Sequence, residues 1–327
     1  MKAVLCEKHG LPDDLTITEL PTPEMKPGHL RIAMRAAGVN FQDTLMIAGN
    51  YQFQPDMPFI PGGEVAGEVL EVADDVTGFA VGDHVLAMTG HGGFCEELVA
   101  DASRVVKYPP QMEFADAAGF LTNFGTSYHA LVHRANLQAG ETLLVLGAAG
   151  GVGLAAVQIG KVLGARVIAA ASSQSKLDLA KQYGADELIN YADGPYKDKV
   201  KELTGGKGAD VIYDAVGGDY FDQALRCINW NGRILVVGFA AGRIPEAPAN
   251  LALLKGCAIV GVFYGRFKQE EPEKSQAMIE EVVKLYEAGK LKPHISQALP
   301  LDKAREALNL FINREAEGKI VLTSGNA

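Results

Sequence analysis

The stretch LLVLGAAGGVGLAAVQ, residues 143–158, constrains the fold of this chain more than any other. A short apolar run ends in Gly147, Ala148, Ala149, Gly150 and Gly151, and the sequence then turns helical. A strand, a glycine-rich turn and a helix N-terminus together make a site for a phosphate. The free N–H groups of the first helical turn point outward, and the helix dipole adds roughly half a positive charge there. Glycine lets the backbone approach a pyrophosphate and lets the helix pack close to the sheet. Within AAGGVG, Gly150 and Gly153 supply the second and third glycines of the GxGxxG pattern, and Ala148 stands at the first. Alanine fits there if its φ is negative, since only a left-handed turn requires glycine. The competing reading is a tight structural turn that binds nothing.

The surroundings favour the phosphate. From Glu141 the chain alternates strand and helix: LLVLG, GLAAVQIGKVLGA, RVIAAA, SKLDLAKQYGA, ELINY, ADVIYDAVG, FDQALRCI, RILVVG. Continuous apolar strands separated by helices specify an α/β fold with a doubly wound parallel sheet. The chain before it reads differently. Val65–Val72 and Val81–Leu86 carry apolar residues near period two, among many short strands up to residue 108. Pro109-Pro110 punctuates the chain, and Phe114 to Leu137 reads as helical despite Gly119 and Gly125. Beyond Glu270 the pattern predicts a helix near Lys274 to Ala288, a strand at His294 to Ala298, a helix from Asp302 and a closing strand at Lys319 to Leu322. A chain of 327 residues fits two domains of this kind.

The strand after the glycine loop selects the dinucleotide. An NAD site places Asp or Glu about 20 residues on, against the ribose 2′-hydroxyl. From Thr142 through Leu177 there is no acidic residue, and RVIAAA runs instead into Ser172, Ser173 and Lys176. Hydroxyls and an ammonium suit a 2′-phosphate, which points to NADPH. The plain alternative for Lys176 is a solvated residue at a helix start.

Other classes are disfavoured. A formal charge of −10 repels polyanions, so no nucleic-acid partner is expected. No apolar segment reaches the roughly 18 to 20 residues that cross a bilayer. The apolar stretch Ala3–Cys6 is too short for a signal-peptide core, and Cys6, Cys95, Cys227 and Cys257 show no CxxC pairing, so a reducing cytoplasm is expected. His129 and His133 have i, i+4 spacing, but no HExxH or third ligand accompanies them. No GxSxG elbow is present either.

The segments GVNFQDTLMIAGNY (38–51), PGGEVAGE (61–68), AAGGVG (148–153) and GKIVL (318–322) together resemble the zinc-independent quinone oxidoreductases, the zeta-crystallin-like branch of the medium-chain dehydrogenase/reductases. The resemblance spans essentially the whole chain. It implies a Rossmann domain at 124–266 and a mostly β, GroES-like catalytic domain at 1–123 and 267–327. Zinc-dependent members carry a cysteine and a histidine where this chain has Asn40 and Gly63, although Asp43 and Glu64 remain. Gln42 stands where alcohol dehydrogenases have a proton-relaying hydroxyl, and a cysteine-rich structural-zinc loop is absent. No metal is therefore expected.

The resemblance also implies coenzyme contacts at Asn40, Thr126, Tyr128, Ala149, Gly150, Gly151, Val152 and Val216. Further contacts fall at Ser172, Ser173, Lys176, Tyr191, Phe239, Phe263 and Lys319. Asn40, Tyr51 and Tyr264 are the candidate catalytic residues. Asn40 reads equally as a hydrogen-bond donor to a ligand oxygen and as the N-cap of the helix that follows it. Tyr51 either donates a hydrogen bond or a proton, or packs against Phe53 and Phe59. Tyr264 reads as a pocket wall, and Tyr128 reads equally as helix core. Glu317 stands where relatives have a neutral polar residue.

Zinc polarises a carbonyl by several kcal/mol. Without it, hydride transfer is confined to acceptors that are already electron-poor, and positioning does most of the work. The expected activity is NADPH-dependent reduction of quinones by a homodimer. Two other readings stay open: an enoyl reductase acting on 2-alkenals, enones or enoyl-CoA, and a non-catalytic NADPH-binding protein, crystallin-like or RNA-associated.

Overall fold

The computed structural model describes residues 1–325. They divide into two compact units, one of residues 121–292 and one of residues 1–120 with the segment from Pro293 onward.

The unit 121–292 contains the expected doubly wound sheet. Six parallel strands lie in the order Glu187–Asn190, Arg166–Ala171, Thr142–Leu146, Ala209–Asp214, Ile228–Val236 and Ala258–Gly261. Numbered along the chain this is 3-2-1-4-5-6, the order of a dinucleotide-binding Rossmann sheet, with its switch point between Thr142–Leu146 and Ala209–Asp214. The central strands are buried on both faces, which is why TLLVL and RVIAAA read as unbroken apolar runs. Leu144, Ile168, Ile212 and Ile234 form the middle of one core layer with Phe221 and Tyr196.

In the other unit the longest strand, His29–Val39, pairs with Val65–Val72, Glu97–Asp101 and Lys319–Thr323 in a seven-stranded sheet, antiparallel except for Ile295–Pro300 beside Lys319–Thr323. A two-stranded sheet joins Lys2–Leu5 to Thr16–Glu19. Val39 is the partner of Ile320, and Gly38 donates its N–H to the Glu64 carbonyl at 2.9 Å. Asn40, Glu64 and Lys319 therefore sit together where three neighbouring strands begin or end.

Three expectations shift. The helix read over 114–137 is broken: Phe114–Ala118 is α-helical and stops at Gly119, after which Leu121–Gly125 and His129–Arg134 wind as π-turns about Thr126–Tyr128. The wider turns set Ser127 against the glycine-loop helix, where its hydroxyl donates to the Val152 carbonyl at 2.7 Å. The strand read from Val81 begins at His84, because residues 81–83 form the turn that leads into it. Residues 267–292, assigned above to the β-rich domain, fall in the Rossmann unit. The helix Pro272–Glu287 buries Ser275, Met278 and Val282 and packs on Leu121–Gly125, a long-range contact that no local pattern reveals.

Candidate functional site

The glycine loop is built as a phosphate cradle. Gly147 ends the first strand with φ +70°, so the left-handed residue lies one position before the GxGxxG frame. Ala148 is not among the residues with positive φ, which explains why alanine is accepted there. Gly150 is the N-cap of the helix Gly151–Val162, with extended φ −75° and ψ 166°. A Cβ on Gly153 would collide with the Gly147 carbonyl oxygen, so the third glycine sets the closeness of helix to strand. Gly151 lies beneath the Asn123 amide, and a Cβ there would come within 2.6 Å of it. Ala149 is buried, whereas Gly150, Gly151 and Val152 keep partial exposure.

The fourth strand closes the other side of the switch point. Asp214, buried at its end, accepts the N–H groups of Val216 at 2.9 Å and Gly217 at 2.8 Å through one carboxylate oxygen. This holds Val216 against Gly147, where an added Cβ would approach the valine methyl at 3.1 Å. Phe239 lies beside Gly217 in the same way, at 3.0 Å. Burial pushes the Asp214 pKa up, opposed by those two N–H groups.

Ser172, Ser173 and Lys176 follow the second strand. Ser173 caps the helix Gln174–Gln182, accepting the Lys176 N–H at 3.3 Å, so its hydroxyl is partly committed to structure. Tyr191 follows the neighbouring strand, paired through Asn190 and Ala171, with its ring 4.6 Å from that of Tyr220. The structure therefore gathers Gly150, Val152, Ser172, Lys176, Tyr191, Val216 and Phe239 along the carboxyl edge of one sheet.

Thr126 and Tyr128 lie half-buried on the π-distorted segment, and Tyr128 meets His133 edge-on at 5.9 Å. Phe263 is half-exposed just before the helix Tyr264–Glu270. Tyr264 is buried, with its phenol against Gly125 and the Lys268 ammonium 5.1 Å from its ring centroid. Its surroundings are those of a packed side chain.

The remaining candidates, Asn40, Tyr51 and Lys319, belong to the β-rich unit. The Lys319 ammonium donates to Asn40 Oδ1 at 2.7 Å and to Glu64 Oε2 at 2.9 Å. The lysine and glutamate side chains are 3% and 0% exposed. The stem of Lys319 runs over two glycines, since a Cβ on Gly38 would come within 2.8 Å of Cε and one on Gly119 within 3.0 Å of Cγ. Asn40 occupies the N-cap position of the helix Phe41–Ile47, but its side chain is turned to Lys319 and to the Gly38 carbonyl at 3.2 Å. Asp43 supplies the reciprocal half of this cap, accepting the Asn40 backbone N–H at 2.8 Å. Tyr51 is half-buried against the core that includes Phe59, and burial together with the Asp43 charge raises its pKa.

Asp43 is fully buried, and its second oxygen has no hydrogen-bond partner. Burial pushes its pKa up to about 7, against the opposing pull of the Asn40 N–H and the Lys319 charge. The folded chain thus holds this proton more tightly than the unfolded chain, whose Asp pKa is about 3.9. Stability should fall as pH rises from about 4 through about 7, by up to about 1.4 kcal/mol per pH unit. Asp43→Asn removes that slope, so its melting temperature should gain on the parent from pH 5 to pH 8. Parallel curves of melting temperature against pH would refute this.

Asp43 and Glu64 were visible in the sequence as acids left over from a ligand pattern, without an assigned role. Asn123, Ser127 and Asp214 were not singled out. Asp214 alone had a legible signal, an acid ending a buried apolar strand just before AVGG.

The donor set does not fit a zinc ion. Asn40 Oδ1 is occupied by an ammonium, and no side chain fits at Gly63, where a Cβ would come 2.7 Å from the Gly90 carbonyl oxygen. Among the described residues, no three or more His, Cys, Asp or Glu side chains gather as a metal site. No helix among them is long and apolar enough to cross a membrane.

Residues 26–110 match the alcohol dehydrogenase GroES-like domain, and residues 151–284 match the family described as zinc-binding dehydrogenase. The chain is similar to a quinone oxidoreductase-like protein 2 homolog of Nematostella vectensis, 42% identical across 99% of this chain and 89% of that one. A mycobacterial protein solved with NADPH superposes with a TM-score of 0.93 at 30% identity, covering 99% of this chain and 100% of that one. The quinone oxidoreductase of Escherichia coli, also solved with NADPH, gives 0.92 at 27% identity with the same coverage. Sequence, sheet order and these likenesses agree that the chain belongs to the quinone oxidoreductase-like family of the medium-chain dehydrogenase/reductases, a family of oxidoreductase enzymes.

Proposed function

We propose that this protein reduces quinones with NADPH and without a metal ion. The observation that carries the reading is the donor set: an ammonium and a side-chain-free glycine stand where a zinc site would need ligands. The quinone oxidoreductase-like relative and the Escherichia coli quinone oxidoreductase support the acceptor, and the two structural neighbours solved with NADPH support the coenzyme. When bound, NADPH supplies a hydride. The chain's own residues then have to hold the pyrophosphate on the Gly150–Gly153 turn, place the adenosine end beside Ser172, Lys176 and Tyr191, and offer Asn40 as a donor to a ligand oxygen.

The test is oxidation of NADPH followed by absorbance, with 1,4-benzoquinone or crotonyl-CoA added in turn. Quinone turnover is expected, with NADPH favoured over NADH at least about tenfold, and Lys176→Glu should remove most of that preference. Turnover of crotonyl-CoA alone would make the protein an enoyl reductase, and binding without turnover would make it a non-catalytic coenzyme binder.

The same reading includes a homodimer. Ala258–Gly261 is an edge strand of the Rossmann sheet, flanked by Leu253 at 79%, Leu254 at 69% and Trp230 at 67% exposure. Trp230 lies against Gly256, so these apolar groups adjoin the edge. An unpaired apolar edge of this kind is normally covered, and two-fold pairing would cover it. Leu253→Asp with Leu254→Asp should convert a dimer to a monomer in sedimentation, whereas a wild-type monomer would remove the proposal. Four free thiols support a reducing compartment such as the cytoplasm.

A further inference from the structure

We infer that Lys319 is a positioning residue that acts through Asn40: its buried ammonium polarises the Asn40 amide and makes it a stronger donor to the acceptor oxygen. The inference rests on the metal-free reading above and deepens it.

Three polar side chains, Asn40, Glu64 and Lys319, meet at the strand ends, with Asp43 in the first turn of the helix that follows Asn40. Glu64, Asp43 and Lys319 are all within 3% of complete burial, whereas Asn40 retains 9% exposure. The buried charge therefore communicates with a ligand chiefly through the asparagine. An ammonium on the amide oxygen draws electron density from nitrogen and makes the N–H bonds more acidic, the cooperative strengthening expected in a chain of hydrogen bonds at low dielectric. One of the two Nδ2–H bonds goes to the Gly38 carbonyl, and the other is the one a ligand oxygen would take.

The charge that this donor would meet develops during the reaction. Hydride addition brings two electrons to the quinone and leaves negative charge on its oxygen, and a proton from water completes the hydroquinone while the coenzyme leaves oxidised. A preorganised donor aimed at developing charge accelerates such a step without tightening the ground state. Glu64 holds the ammonium in place through its 2.9 Å bond. The side-chain-free Gly38 and Gly119 let the lysine reach the amide at all.

The experiment compares wild type with two neutral pairs, K319M/E64Q and K319Q/E64Q, which leave no unpaired buried charge. Circular dichroism selects the variant that folds, and NADPH affinity is measured by fluorescence titration. With 1,4-naphthoquinone kcat should fall about tenfold to a hundredfold, part of the effect of removing one oxyanion donor. KM and the NADPH dissociation constant should stay within about twofold, because the Lys319 ammonium, 3% exposed and bound to Asn40 and Glu64, is committed to them rather than to the coenzyme contact that the resemblance implies. The loss should be smaller with the more electron-poor 1,4-benzoquinone, a graded dependence that a purely structural role would not produce. Equal losses with both acceptors, or a loss confined to coenzyme affinity, would overturn the inference. A wild type that reduces 2-alkenals but not quinones would end the quinone reading alone, and the same variants would then be compared on two enals of different electrophilicity. Turnover of neither acceptor class would end both.

Discussion

Replacing Lys319 alone with methionine is expected to lower the free energy of unfolding by about 3–5 kcal/mol, the usual cost of stripping one partner from a buried ion pair. Glu64, whose side chain is 0% exposed, would lose the ammonium that it holds at 2.9 Å. Asn40 would lose the donor to Oδ1 as well, leaving a second buried acceptor short of a partner. Urea unfolding reads the change as a lower midpoint with an unaltered slope. The double variant K319M/E64Q should recover most of the loss, because an apolar stem and a neutral amide carry no unpaired charge. A single variant as stable as its parent would show that the pair contributes nothing. A double variant no better than the single would mean that packing over Gly38 and Gly119, rather than charge, sets the cost.

The second large effect is expected at the glycine loop. In Gly153→Ala the new methyl group meets a backbone carbonyl, that of Gly147, and also comes within 3.0 Å of Ala148 Cα. No side-chain rotation relieves a backbone clash, so the helix Gly151–Val162 has to move off the strand end. Overpacking of this kind costs about 1–3 kcal/mol of stability. The N–H groups of the first turn move with the helix. Affinity for NADPH should fall at least about a hundredfold, equivalent to about 2.7 kcal/mol. Fluorescence titration checks the affinity and thermal unfolding the stability. Unchanged coenzyme affinity would show that the loop does not hold the phosphates. Ala148 predicts the reverse: with φ outside the left-handed region, Ala148→Gly should leave affinity within about twofold.

Much of the Rossmann unit was legible because its signals are local. Strands buried on both faces must be apolar throughout, so TLLVL, RVIAAA and ADVIYD announce themselves, and the glycines between strand and helix mark a close backbone approach. The missing acid after RVIAAA needed no coordinates. The β-rich unit was harder. Its strands are short, and the start of His84–Ala87 depended on a turn that alternation alone does not reveal. The π-turns between Leu121 and Arg134 could not be read either, because a π-turn adds a residue without changing the residue types that favour a helix.

By itself the sequence determined the class of the fold, the glycine loop and the choice of serines and lysine over an acid beside the second strand. Each follows from the identity or the near spacing of residues, whereas the absent cysteine and histidine stood out only through the resemblance to a known family. Only the tertiary structure decided that Lys319 lies on Asn40 and Glu64, residues more than 250 positions away in the chain. It also decided that Asp43 turns back on the Asn40 N–H, and that residues 267–292 join the Rossmann unit. The physical reason is the same in each case. Where a buried charge finds its partner is set by strand register, and register between distant segments is fixed by the whole sheet, whereas periodicity in sequence records only which residues face inward.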